Sequence, residues 1–163
     1  MTVYYSAKSL LEIAFGLKVS EPANTSPLAT GGVNLFTITG GRVILVQLYG
    51  EVTTVIQAQA TTVQLVSTPT TGTAINLSST GLDINALEVG GHISLPSTIS
   101  FSDSPASGLP LNKALSGYID FTGISLLVPP GVISVNYGAA STGAVKWDMI
   151  FIPYDAAAVV AAE

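Results

Sequence analysis

The clearest periodicity in the chain runs from Arg42 to Gln57. Its even positions Ile44, Val46, Leu48, Gly50, Val52 and Ile56 are mostly apolar, and its odd positions Val43, Leu45, Gln47, Tyr49, Glu51 and Thr53 are mixed. Side chains of a strand alternate between two faces, so a repeat of two predicts one long strand with the even set toward the core. Gly50 in its middle predicts a bend or bulge. A second alternation sets Val145, Trp147, Met149 and Phe151 against Lys146, Asp148, Ile150 and Ile152. It predicts another strand, stopped by Pro153. Shorter strands are predicted at Thr61–Ser67, Thr73–Leu77, Gly91–Leu95, Thr98–Phe101, Ser116–Phe121, Ile124–Val128 and Val132–Tyr137. Mixtures of Gly, Pro, Ser, Thr, Asp and Asn separate most of them, as turns require. Gly40-Gly41, between Phe36–Thr39 and Arg42–Ile44, has the spacing of a hairpin turn. Many short strands without alternating helical runs predict an all-β fold, an antiparallel β-sandwich or jelly roll.

The two ends read differently. Residues 1–32 suggest an N-terminal arm and linker, 33–154 a β-sandwich domain and 155–163 an Ala/Val-rich tail. Leu10, Leu11, Ile13, Ala14 and Leu17 lie near helical spacing, which fits a short helix or an extended arm. Ser20 to Gly32 is rich in Pro, Ser, Thr and Gly and reads as a loop. The tail is too short to hold a helix in water and is expected to be flexible or docked on a neighbour.

Composition sharpens this picture. Of 163 residues, 48% are hydrophobic and only 9% charged, while Ser and Thr number 17 each. Mean hydropathy is +0.57. So much apolar surface calls for a core plus subunit contacts. The absence of Cys excludes a disulfide framework, a cysteine zinc site and a thiol nucleophile. Five Lys+Arg against ten Asp+Glu give a net charge of −5, a field that repels phosphates and argues against nucleic acid. No apolar run is long enough for a membrane helix. Met1 to Lys8 lacks the basic and apolar regions of a signal peptide, so secretion by that route is not expected.

Candidate chemistry is sparse. A hydrolytic triad needs a base, and His92 is the single imidazole, with no nucleophile motif around it. Asp120 and Asp148 are expected as solvated outward carboxylates. Asp83-Ile-Asn85 lacks the remaining ligands of a calcium loop. No catalytic residue, metal site or cofactor is assigned, and an enzyme is not expected. Trp147, Phe151, Phe121 and Phe36 are expected in the core. Tyr4, Tyr5, Tyr49, Tyr118, Tyr137 and Tyr154 suit packing, an interface or stacking on sugar. Tyr4, Tyr5, Leu10, Leu11 and Phe15 lie outside the β pattern with apolar side chains to hide, and are the expected partner-interface residues.

Two segments carry a resemblance: Leu35-Phe-Thr-Ile-Thr-Gly-Gly-Arg-Val-Ile-Leu-Val-Gln-Leu-Tyr-Gly-Glu-Val-Thr-Thr54 and Gly143-Ala-Val-Lys-Trp-Asp-Met-Ile-Phe-Ile-Pro-Tyr154. Together they resemble small β-rich virion proteins of tailed bacteriophages, of the kind that decorate or cement the head. The resemblance implies a non-enzymatic structural protein, made in the bacterial host cytoplasm and placed on the outer capsid surface. It implies a homo-oligomer, a trimer foremost, that holds major capsid protein subunits together, with no nucleic-acid or membrane partner. The alternative is a carbohydrate- or receptor-binding β-sandwich module of a phage tail or adhesin.

Overall fold

The computed structural model describes residues 15–22, 28–78, 82–95, 119–120 and 126–163. Among the described residues the chain is all-β. Its strands are β1 (Leu17–Ser20), β2 (Gly31–Thr39), β3 (Val43–Thr54), β4 (Thr62–Pro69), β5 (Ile75–Asn76), β6 (Leu82–Asp83), β7 (His92–Leu95), β8 (Ile119–Asp120), β9 (Leu126–Val128), β10 (Gly131–Tyr137), β11 (Ala144–Pro153) and β12 (Val159–Ala162). No helix there is long and apolar enough to cross a membrane.

One antiparallel sheet is built on β3 and β11. Strand β1 pairs with the far edge of β11, while β9 and β7 share the far edge of β3 and β8 follows β9. The second sheet is built on β4 and β10, with β5 and β6 on the far edge of β4. Strand β2 lies beside β10, tied to it by a Thr30–Tyr137 bridge, and carries β12 on its outer side. Leu48, Val52, Trp147 and Met149 from the first sheet meet Val63, Leu65, Ile133 and Val135 from the second in one core. Burial of such side chains is the main stabilising term.

The β11 alternation is as the sequence predicts: Val145, Trp147, Met149 and Phe151 are all buried. The β3 alternation is not. Gln47 faces Ile150 but Leu45 faces Phe151, so Val46 is an extra residue, a β-bulge. The bulge switches the inward set from Val43 and Leu45 to Leu48, Gly50 and Val52. Ile44 and Val46 are therefore only half-buried, against expectation. Nor is Gly50 the bend. It is where Trp147 packs, since a Cβ there would lie 2.7 Å from Val145 Cγ1 and 3.1 Å from the indole.

Gly40-Gly41 is not a hairpin turn either. Strand β2 belongs beside β10 and β3 beside β11, so the chain changes sheets at these glycines. After β11 it crosses back through residues 154–158 into β12. The tail thus pairs within its own chain, Val159 with Thr39 through Ala162 with Phe36, and buries Val160. Alternation of inward Ala158 and Val160 makes this short segment a strand once β2 offers an edge.

The two crossings are fastened together. Arg42 Nε and Nη2 donate to the two Asp155 oxygens, each at 2.9 Å, and the Arg42 backbone N–H adds a third bond at 2.8 Å. The guanidinium also lies 4.8 Å from the Tyr154 ring centroid. Hydrogen bonds from Arg42 hold the Asp155 carboxyl down at about 2. A carboxylate with a depressed pKa stabilises the fold above its ordinary value and loses that effect as pH falls through about 2. Asp155→Asn is expected to lower the melting temperature at pH 7 by a few degrees and to leave stability near pH 2 close to that of the parent. Thermal scans at the two pH values check both.

Candidate functional site

The outer faces of the two sheets differ in chemistry. On the first, the register aligns Lys146 of β11, Glu51 of β3 and His92 of β7 in one row. The next row is Ser20, Asp148, Tyr49 and Ser94. Lys18, two residues before Ser20, reaches Asp148 Oδ2 at 3.0 Å, and its Nζ lies 3.4 Å from the Tyr49 hydroxyl. Asp148 is therefore not the solvated carboxylate expected from alternation. Its side chain is only 3% exposed because β1 brings Lys18 and Ser20 over it on one side and β3 brings Tyr49 on the other. Burial opposes its charge, but hydrogen bonds from Ser20, Tyr49 and Lys18 outweigh this and set its pKa below the ordinary carboxylate value.

Among the described residues the outer face of the β4–β10 pair carries no charge. Strands β4 and β10 present Gln64, Val66, Thr68, Val132, Ser134 and Asn136, with Asn76 of β5 beside Val66. Gln64 and Asn136 are direct cross-strand partners. The Asn136 side chain lies over Gly32 of β2, where a Cβ would come within 2.9 Å of its Oδ1. The Gln64 Nε2 is buried and has no hydrogen-bond partner among the described residues. Asp83, at the margin opposite Thr62, turns its carboxylate back onto the backbone N–H groups of Thr61 and Asn85, each at 3.0 Å. That is an Asx turn, and it accounts for the Asp-Ile-Asn motif without a cation.

Of the expected interface residues, Phe15 stands just before β1 and is 67% exposed. Tyr4, Tyr5, Leu10 and Leu11 lie outside the described residues, as do Phe121, Tyr118 and the Thr98–Phe101 segment, and the Asp120 side chain. His92 is exposed on β7, and the register places Ser94 and Glu51 on the same open face. This juxtaposition has no sequence spacing to announce it, because Glu51 comes from another strand. Among the described residues, no group of three or more His, Cys, Asp and Glu could hold a metal ion.

Sequence reasoning missed Glu21. It sits in a stretch that reads as loop, yet it is 7% exposed. Its backbone N–H donates to the Trp147 carbonyl at 2.9 Å, continuing the β1–β11 ladder by one residue. This places its carboxyl on the inward side, with Trp147. Comparisons of the chain with protein families, curated proteins and solved structures give no match.

Proposed function

We propose that this chain is a non-catalytic assembly protein that decorates and stabilises a phage capsid by protein–protein contact with major capsid subunits. The carrying observation is the neutral outer face of the β4–β10 sheet. The chain bears a net charge of −5, so a partner of like sign meets least repulsion on a face without charge. Half-buried Val66 and Val132 offer apolar area there, and Ser134 and Asn136 offer hydrogen bonds. This mixture suits the centre of a non-obligate interface, which is depleted of charge. The assignment to a capsid rests on the resemblance of segments 35–54 and 143–154. In this reading the two sheets form a β-sandwich, the neutral sheet faces the shell, and the Lys146–Glu51–His92 sheet faces water.

A glycan-binding module is the second reading, favoured by the half-buried amide of Asn136. It is weaker, since none of the outward side chains of β4 and β10 is an aromatic on which a sugar ring could stack.

Co-sedimentation with shells assembled from the major capsid protein of the same genome tests the proposal. The parent chain is expected to pellet at a fixed ratio. Ser134→Glu buries an unpaired charge in the contact and is expected to weaken binding roughly tenfold or more. Lys146→Glu is expected to bind normally. No pelleting, or loss with Lys146→Glu alone, overturns the reading. Glycan-array binding that Asn136→Ala abolishes would replace it with the second.

A further inference from the structure

The inner end of β1 holds an unusual polar cluster. Among the described residues Glu21 Oε2 is buried without a hydrogen-bond partner, beside the buried Tyr137 Oη and Trp147 Nε1. They come from three places: the end of β1, the end of β10 and the middle of β11. Buried polar atoms without partners are uncommon and costly. A carboxyl in such a place is tolerated far better neutral than charged.

Among the described residues no cation relieves it. Lys18 and Lys146 point outward, where Lys18 is already paired with Asp148. From β10 the facing group is Tyr137, a phenol that burial pushes up to about 12, with the Glu21 charge adding to the shift and the Trp147 indole opposing it. From β12, which packs near β1, Val160 points inward, and Glu163 accepts a hydrogen bond from Thr37. Among the described residues the Glu21 carboxyl therefore faces a phenol and an indole, and no positive charge.

Strand β1 is also a lightly held element. It is four residues long, lies at the edge of its sheet, and among the described residues pairs on one side only. We propose that Glu21 is a proton-operated latch: with its carboxyl protonated β1 stays paired to β11, and loss of the proton drives Glu21 to water and lifts β1 off the sheet. Lifting β1 frees the outer backbone groups of Asp148 to Phe151, uncovers Asp148 and carries Phe15 away from the sheet. This inference does not depend on the shell reading, since it concerns only the chain's own strand.

Desolvation raises the Glu21 pKa to about 7, which places the transition in the neutral range. The sign follows from linkage. A carboxyl that holds its proton more tightly folded than unfolded favours the closed state at low pH and loses that effect as pH rises through the folded value. A shift from 4.5 to about 7 sets an upper bound of roughly three-hundred-fold on the change in the opening equilibrium.

Hydrogen exchange on the full chain tests this, read by mass spectrometry between pH 5.5 and 8.5 and corrected for intrinsic exchange. Protection of the Lys18–Glu21 amides and of β11 opposite them is expected to fall by one to two orders of magnitude across pH 7, while the β4–β10 ladder stays protected. Glu21→Gln keeps the shape and cannot ionise, so it is expected to hold the low-pH protection throughout. A carbon-13 titration of the Glu21 carboxyl supplies a readout independent of that variant. An equal pH response in parent and Glu21→Gln, or a Glu21 carboxyl that titrates below pH 5, overturns the latch.

Discussion

Trp147→Ala is expected to lower the unfolding free energy by about 3–5 kcal/mol, the largest loss from any single side chain here. The indole is fully buried and lies in the core between the sheets. It packs against Gly50 of β3, which has no side chain to fill the space left behind. Such a site collapses poorly, and the cost of a large-to-small change grows with the cavity that remains. Urea denaturation checks this through a lower midpoint at unchanged slope. Trp147→Phe keeps most of the volume and is expected to lose less than half as much. Equal losses for the two variants would show that the indole N–H matters rather than the ring's bulk.

Gly40→Ala is expected to follow closely. Gly40 has φ +72°, where an L-residue pays about 1–2 kcal/mol for its Cβ. The new Cβ would also collide with the Ala157 carbonyl oxygen, which is backbone and cannot swing away. The sum is about 3 kcal/mol or more, in the upper range of single substitutions. Gly90→Ala is the control. Gly90 has φ +84°, and a Cβ added there would meet no atom within 4 Å, so it carries the backbone strain without the collision. The difference between the two variants measures how tightly the two sheet crossings press together. Equal losses would mean that the crossings separate at little cost.

Much of the fold is legible in the residues, and the failures have specific causes. The β11 alternation stands out because Val145, Trp147, Met149 and Phe151 all face one core without interruption. In β3 the same periodicity implies one parity for the whole strand. The bulge at Val46 is set by the register against β11, which is a property of the pair. Gly40-Gly41 carries the local signature of a hairpin, but the signature cannot tell a turn within a sheet from a passage between sheets. The tail does not announce itself as a strand because nine mostly small residues have little intrinsic preference, and its pairing is supplied by β2.

The candidate site is harder to read. Alternation correctly puts Asp148 on the outward face, but gives no sign that β1 lies alongside and covers it. Glu21 is hidden within a Pro- and Ser-rich stretch whose composition says loop. The neutral face is legible in part, since Gln64, Val66, Thr68, Val132, Ser134 and Asn136 all lie within segments expected as strands or at their ends. What sequence cannot supply is that β4 and β10 are neighbours and pool those residues on one surface.

The fastening of Arg42 to Asp155 spans 113 positions, and that of Thr37 to Glu163 spans 126. Long-range pairing of this kind carries a loop-closure cost early and returns it late, so folding is slow. On the ribosome, β1 and β2 must wait for β11 and β12, which are made more than 100 residues later. A polypeptide stalled before β12 keeps an open strand edge beside Phe36 and Ile38, ready to pair with another nascent copy. Yield of the native protein should therefore depend on how fast the last strand is delivered.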